Sequence, residues 1–223
     1  MSRLEGYDNP QGVDYEELDN YVLAHIDPEP DLLKKLNRDT YVKIMRPRML
    51  SGHLQGRILK MFVRMIRPRR VLELGTFTGY SALCIAEGLP EDGIVYTIDI
   101  NDELEEFTTS FFEQSPCRDK IKYLLGNALA TIPAINETFD LIFIDADKRE
   151  YLEYYHAVFD KVNQGGFIIA DNTLWDGKVI ENVNPSDEQT VGVERFNNFV
   201  AQDERVETVI IPLRDGMTIL RKK

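Results

Sequence analysis

The sequence is poor in the residues that build disulfide-rich proteins and zinc sites. Its 223 residues include two cysteines, three histidines and one tryptophan. Cys84 and Cys117 lie far apart and have no metal-ligand spacing, so the sequence indicates neither a disulfide framework nor a zinc centre. The N-terminus is polar and acidic and shows no signal peptide. We therefore expect a protein of a reducing compartment, the cytoplasm.

Long apolar runs and positive charge are also scarce. No run approaches the ~20 apolar residues that a membrane-spanning helix needs, so we expect no membrane partner. Lysine and arginine number 26 against 38 aspartates and glutamates, which gives a net charge of −12. Such a chain should bind phosphate backbones poorly. Nucleic acid is thus a weak candidate partner, and the basic runs 43–48 and 64–70 are its only candidate surface.

The sequence is rich in apolar runs that alternate with helix-compatible segments. Apolar runs end near residues 74, 98, 125, 144 and 170, and the segment 148–162 is predicted to form one helix. Near-continuous apolar strands separated by helices predict a doubly wound, mostly parallel α/β sheet. Two final runs flank Asp215-Gly216, and a tight two-residue turn there predicts an antiparallel hairpin at the end of the sheet.

No linker, repeat or low-complexity segment divides the chain, so we expect one domain over residues 1–223. Residues 49–223 would form its core, and residues 1–48 a helical extension that begins with a loose polar segment at 1–13. Helices are predicted at 15–26 and after Asp31, which would cap the second helix. These helices could cover a sheet face, the mouth of a site or a partner subunit, and the sequence does not choose among the three.

The stretch VLELGTFTGYS at 71–81 predicts a strand, a glycine-bearing turn and a helix. It is not the G-x-G-x-x-G fingerprint of dinucleotide sites, which weighs against a nucleotide-cofactor oxidoreductase. Glu73 before the turn would repel phosphate but suits a phosphate-free sulfonium nucleoside, S-adenosylmethionine. Asp99, at the end of the next strand, could take the ribose hydroxyls. The alternative is an ordinary strand-turn-helix without a ligand.

Carboxylates recur at the ends of later strands. Asp145 follows the fourth strand and Asp171-Asn172 follows the fifth, a set of hard oxygen ligands that suits Mg²⁺, Mn²⁺ or Ca²⁺. Alternatively, these residues cap turns and helices. Lys148 would be more easily deprotonated beside a divalent cation and could act as a general base, or it could simply pair with Asp147.

Four segments together resemble one enzyme family: 73–81, 145–148 (DADK), 171–175 (DNTLW) and 215–218 (DGMT). They are similar to the cation-dependent, S-adenosylmethionine-dependent O-methyltransferases, the group that includes caffeoyl-CoA and catechol O-methyltransferases, in its short bacterial branch. The likeness runs from about residue 49 to the C-terminus. It implies a class I methyltransferase fold, which is a Rossmann-like, seven-stranded sheet with an antiparallel last strand, and a homodimer.

The resemblance also implies the site residues. The methyl donor would be contacted by Met49, Ser51, Glu73, Gly75, Ser81, Asp99, Ala128 and Asp147. The metal, with Mg²⁺ as first choice, would be held by Asp145, Asp171 and Asn172, and Lys148 would be the base. Trp175 could wall a flat aromatic acceptor, and Asp176 stands where plant members carry a substrate-binding asparagine. Asn127 stands where relatives often carry aspartate or proline.

The predicted reaction is a metal-assisted transfer of a methyl group to one hydroxyl of a catechol-like small molecule. Lys148 would remove the hydroxyl proton, and the phenolate would attack the sulfonium methyl. Two alternatives remain at this point: a tRNA-modifying methyltransferase of the same fold and a nucleotide-cofactor oxidoreductase.

Overall fold

A computed structural model describes residues 14–223. Its strands are β1 Arg70–Leu74, β2 Ile94–Asp99, β3 Ile121–Leu125, β4 Phe139–Ile144, β5 Val162–Asp171, β6 Val206–Ile211 and β7 Met217–Lys222. Its α-helices are α1 Tyr15–Ala24, α2 Asp31–Lys43, α3 Gly52–Ile66, α4 Tyr80–Gly88, α5 Glu105–Gln114, α6 Ala128–Thr131, α7 Tyr151–Phe159 and α8 Glu188–Val200. The expectation for residues 1–13 lies outside the described residues. Between residues 14 and 223, no helix has the length and apolar character needed to cross a bilayer.

The seven strands form one sheet in the order β3-β2-β1-β4-β5-β7-β6. The first five strands in this order pair in parallel, and β7 lies between β5 and β6 and is antiparallel to both. The predicted doubly wound, mostly parallel, seven-stranded sheet with an antiparallel last strand is therefore confirmed. Antiparallel pairing of neighbouring strands allows a short connection, whereas each parallel pair needs a crossover.

The connection between β6 and β7 differs from its prediction. It spans residues 212–216, so the expected tight two-residue turn is wrong although the antiparallel pairing is right. The reason lies in contacts to the segment after β5. Thr173 N–H donates to the carbonyl of Gly216 at 3.1 Å, and Leu174 N–H donates to the carbonyl of Asp215 at 2.8 Å. The longer loop thus reaches across the carboxyl end of β5.

Helices cover both faces of the sheet because the side chains of β1 alternate. Val71 packs on one face with Leu59 and Val63 of α3, and Leu72 packs on the other with Tyr155 of α7 and Phe196 of α8. Val71 and Leu72 are adjacent in the chain, and both are buried, as expected for a parallel strand covered on two sides. The carboxyl ends of the strands remain as the open edge.

The second helix, α2, covers the helix that follows the glycine turn. Leu33 and Leu36 are buried in a cluster with Tyr80 and Leu83 of α4. The hydroxyl of Thr40 also donates to that of Thr78 at 3.2 Å. The predicted cap at Asp31 is wrong, because Pro30 has the extended capping position and Asp31 is already the first helical residue, with no side-chain cap bond.

The single helix predicted over 148–162 is interrupted at both ends. Lys148–Glu150 forms a 3₁₀ turn, α7 spans Tyr151–Phe159, and Val162 already pairs with Phe139 in the sheet. The apolar periodicity continues into Val162 because β5 enters the same core as α7. Lys148 therefore lies in a tight turn directly after β4 rather than within an α-helix.

Candidate active site

The predicted acids gather at the carboxyl edge of the sheet. Glu73 lies in β1, Asp99 ends β2, Asp145 follows β4 and Asp171 ends β5. β1 and β4 are neighbours, although the chain visits β2 and β3 on the far side of β1 between them. This change of direction leaves a crevice outside the strand ends, which is where open α/β sheets bind ligands.

The glycine turn is pressed against the chain that leaves β4. Gly75 has a φ of +96°, and a Cβ at this position would lie 2.0 Å from the carbonyl oxygen of Asp145. Gly75 N–H donates to the carbonyl of Ile98 at 2.9 Å, and Asp145 N–H donates to that of Leu74 at 2.8 Å. The turn thus needs glycine for both its conformation and its space, and it brings residues 73–79 next to residues 145–148.

Glu73 is fully buried under this turn. It accepts a short hydrogen bond from the hydroxyl of Thr97, and its Oε1 has no partner within the described residues. Burial raises the pKa of Glu73 from 4.5 to about 8, although hydrogen bonds from Ser81 and Thr97 act in the opposite direction. The site therefore holds a buried carboxyl group with one oxygen that accepts no hydrogen bond from the described residues.

Asp99 binds the backbone of the turn with both carboxylate oxygens. Its Oδ2 accepts from the N–H of Phe77 at 2.7 Å, and its Oδ1 accepts from the N–H of Asn101 at 2.9 Å. Phe77 has a φ of +49°, a conformation that this bond supports. Next along the edge, Asn127 caps α6 by accepting from the N–H of Ala130 at 3.1 Å, which sets the position of Ala128 as its first residue.

Lys148 is buried beside Asp145. Its Nζ lies 2.9 Å from Asp145 Oδ1 and donates to the phenol of Tyr151, which in turn donates to the carbonyl of Asp171 at 3.0 Å. The alternative ion pair of Lys148 with Asp147 is wrong. Asp147 instead caps the 3₁₀ turn and binds the guanidinium of Arg149, which lowers the pKa of Asp147.

Asp171 is buried at the end of β5. Its Oδ2 accepts from Gln55 Nε2 at 2.6 Å. Burial, together with the nearby charge of Asp145, raises the pKa of Asp171 from 3.8 to about 6, while Lys148 acts in the opposite direction. The carboxylate of Asp145 is therefore close enough to disfavour the charged form of Asp171.

The chemistry of these donors fits a hard divalent cation. The repulsion between Asp145 and Asp171 would be relieved by a cation, and carboxylate and amide oxygens are the ligands that Mg²⁺ and Ca²⁺ prefer. Asn172, with a φ of +56°, supplies the amide. Over residues 14–223, no three His, Cys, Asp or Glu side chains converge as a metal cluster, so Asn172 would be needed as the third ligand.

A cavity of about 540 Å³ opens next to Asn172. Its walls are formed by Tyr41, Arg46, Pro47, Arg48, Met49, Asn172, Trp175 and Asp215. Trp175 thus lies where a flat ring could pack against it. Asp176 is exposed, has a φ of +52°, and its N–H donates to the carboxylate of Asp215.

Several residues of the site were not predicted from the sequence: Gln55, Arg214, Asp215, Tyr151 and Arg46. Gln55 had a detectable signal, because it is a polar residue on the apolar face of an amphipathic helix, one turn before Leu59. Asp215 lies in the segment 215–218 that carries the family resemblance, but it was interpreted only as part of a turn, and Arg214 had no signal of its own. Their place in the site depends on the contacts of the loop at 212–216.

Comparisons with known proteins agree with the predicted resemblance. Residues 24–223 match a family model described as O-methyltransferase. Caffeoyl-CoA O-methyltransferase 5 of Nicotiana tabacum is 33% identical over 205 residues, which cover 87% of this chain and 85% of the relative. Caffeoyl-CoA O-methyltransferase 1 of Arabidopsis thaliana is 34% identical over 205 residues, with coverage of 87% and 79%.

Solved structures show the same likeness. The O-methyltransferase from Bacillus cereus in complex with SAH has a TM-score of 0.87 and 27% identity, and the match covers 93% of this chain and 97% of that one. The O-methyltransferase TomG from Streptomyces achromogenes in complex with SAM has a TM-score of 0.87 and 27% identity, with coverage of 93% and 96%. These matches confirm the resemblance and do not support the oxidoreductase alternative.

Proposed function

The chain belongs to the O-methyltransferase family and is an S-adenosylmethionine-dependent O-methyltransferase. On this premise we propose that it methylates one hydroxyl of a catechol-like small molecule with the help of a divalent cation. The observation that carries the proposal is the group of oxygen donors at Asp145, Asp171 and Asn172. These donors lie beside a buried amine, that of Lys148, and next to a cavity with Trp175 in its wall. The first choice of cation is Mg²⁺, with Mn²⁺ or Ca²⁺ as substitutes.

We assign the methyl donor to the glycine turn. S-adenosylmethionine supplies a methyl group that is activated by its sulfonium. Gly75 allows the turn to pack against the Asp145 carbonyl, Glu73 has an unpartnered oxygen for a positive group, and Asp99 keeps lone pairs for ribose hydroxyls while it holds the turn. The remaining proposed donor contacts are Met49, Ser51, Ser81, Ala128 and Asp147.

The chemical step would depend on Lys148. A divalent cation held by Asp145, Asp171 and Asn172 would lower the pKa of the acceptor hydroxyl. Lys148 would accept the hydroxyl proton as general base, and the phenol of Tyr151 holds its amine in place. Loss of the methyl group leaves a neutral thioether, so no acid is needed and positioning supplies much of the rate.

The acceptor would enter the cavity beside Trp175. A volume of about 540 Å³ is in the range of small-molecule pockets and suits a single aromatic ring with a substituent. Asp176, exposed at the rim, would contact that substituent. The curated relatives above are named for caffeoyl-CoA, which supports a phenolic acceptor. The homodimer, the cytoplasmic location and the single-domain organisation stay predictions.

A methyl-acceptor assay on the purified full chain tests this function. Donor with a labelled methyl group is offered with catechol, with resorcinol, whose two hydroxyls are not adjacent, or with total tRNA, each with Mg²⁺ or with chelator. We expect product with catechol and Mg²⁺ only. Equal labelling of resorcinol, or a catechol rate that chelator does not lower, would refute the metal-assisted reaction, and labelling of tRNA alone would favour the tRNA-modifying alternative.

A further inference from the structure

We propose that Gln55 and Arg214 are positioning residues that form, with Asp171, a hydrogen-bonded chain from the β6–β7 loop to the candidate cation site. We name this chain the 214–55–171 relay. The proposal rests on the proposed function, because it takes Asp171 as a ligand of the cation. Neither Gln55 nor Arg214 belongs to the four segments that carry the family resemblance.

Gln55 fixes the rotation of the Asp171 carboxylate. The side chain of Gln55 is 1% exposed, and its Nε2 donates to Asp171 Oδ2 at 2.6 Å. With Oδ2 engaged by an amide, Oδ1 is the oxygen left for a cation. A buried amide on an apolar helix face is costly unless both of its ends are satisfied, so an arrangement of this kind needs a second partner.

Arg214 is that second partner. Its Nη1 donates to Gln55 Oε1 at 2.5 Å, and Arg214 takes a φ of +52° in the loop at 212–216. A guanidinium has only donors, so it holds the acceptor end of the amide toward itself and the donor end toward Asp171. Without the guanidinium, the side-chain amide of Gln55 could rotate and place its oxygen against the carboxylate of Asp171. Arg214 thus acts on Asp171 through Gln55.

The same guanidinium also binds the segment that precedes α3. Arg214 Nη1 donates to the carbonyl of Ser51, which is one of the proposed donor contacts. Removal of the guanidinium should therefore disturb both the cation side and the donor side. Removal of the Gln55 amide should disturb only the cation side. This asymmetry separates the relay from a general loss of stability, which would affect both sides in either variant.

The test measures Mn²⁺ binding by electron paramagnetic resonance and S-adenosylhomocysteine binding by calorimetry, both on the full chain. We expect Gln55→Met to weaken Mn²⁺ binding about 10- to 100-fold while S-adenosylhomocysteine binding stays within about twofold. Arg214→Met should weaken both, and Arg214→Lys should recover most of the Mn²⁺ affinity. The exposed residues Gln202 and Arg64 provide matched controls as Gln202→Met and Arg64→Met, which should leave both affinities unchanged.

A double variant shows whether the two residues act in series. Because Arg214 acts through Gln55, the variant with both methionines should bind Mn²⁺ no more weakly than Gln55→Met alone. Strictly additive losses would overturn the relay, as would unchanged Mn²⁺ affinity in Gln55→Met. If Gln55→Met fails to fold, Arg214→Met carries the test, because Arg214 is exposed and its replacement should be tolerated. Unchanged Mn²⁺ affinity in Arg214→Met would then overturn the relay. A wild-type chain that binds no Mn²⁺ would instead refute the metal-dependent function and the relay with it.

Discussion

Replacement of Glu73 by glutamine tests the electrostatic account of the donor turn. Glu73 is fully buried, and its Oε1 has no partner among the described residues. Burial raises its pKa from 4.5 to about 8, so at neutral pH the folded chain keeps the proton that the unfolded chain releases. Glutamine has nearly the same shape, can still accept from Thr97, and does not ionise.

The expected effect is a change in how stability depends on pH. From about pH 5 to about pH 8 the folded chain holds more protons at Glu73 than the unfolded chain, so the free energy of unfolding falls as pH rises. The slope approaches ~1.4 kcal/mol per pH unit. By about pH 7 the accumulated loss is about 3 kcal/mol, compared with about 1 kcal/mol near pH 5. Glu73→Gln lacks this loss and should gain on the wild type by about 2 kcal/mol over that interval.

Urea unfolding at a series of pH values measures this difference. Any constant penalty of burying the amide shifts the whole curve of Glu73→Gln, so the diagnostic is the difference in slope between variant and wild type. Glu91→Gln, at an exposed position, is the matched control and should run parallel to the wild type. Parallel curves for Glu73→Gln would show that Glu73 ionises in the folded chain as it does in the unfolded one, and the account of the donor turn would fail.

Three further substitutions test separate parts of the site. Lys148→Met should lower turnover about 100- to 10,000-fold and leave S-adenosylhomocysteine binding unchanged by calorimetry, and surviving turnover would contradict its role as base. Asp171→Ala should abolish activity together with the response to Mg²⁺, and wild-type activity of this variant in chelator would argue against a metal ligand. Gly75→Ala should lower the free energy of unfolding in urea by about 3 kcal/mol, because its Cβ would lie 2.0 Å from the Asp145 carbonyl at a φ of +96°. An unchanged urea midpoint would show that the turn can relax.

The parts of the fold that follow from local pattern could be predicted. The strands Ile94–Asp99 and Phe139–Ile144 are apolar runs with an acid at or directly after their end, and their ends match the predicted ends near residues 98 and 144. The helix at 148–162 was predicted too long because Val162 shares a core with α7 although it belongs to the sheet. Periodicity reports which side chains are buried, but it does not report which element buries them.

The residues of the candidate site also fall into those that local pattern predicts and those that only long-range packing brings together. The strand-end acids were found because a parallel sheet puts all of its carboxyl ends on one edge, whatever the side chains do. Gln55 and Arg214 were missed because their bonds join residues that are 116 and 159 positions apart in the chain. Such contacts follow from the packing of α3 and of the loop at 212–216 against the end of β5. No local propensity of either segment contains that information.

The proposed donor residues and the proposed cation ligands are joined by backbone contacts and buried polar groups as well as by apolar packing. The backbone of Gly75 touches that of Asp145, and the phenol of Tyr151 lies between Lys148 and the carbonyl of Asp171. Burial of this kind raises the pKa values of Glu73 and Asp171, so these two carboxyl groups lower the stability of the fold near neutral pH. A ligand that brings positive charge to either carboxylate would recover part of that loss, since binding to the folded chain alone stabilises it. The two buried carboxyl groups would therefore contribute to the affinity for the sulfonium donor and for the proposed divalent cation.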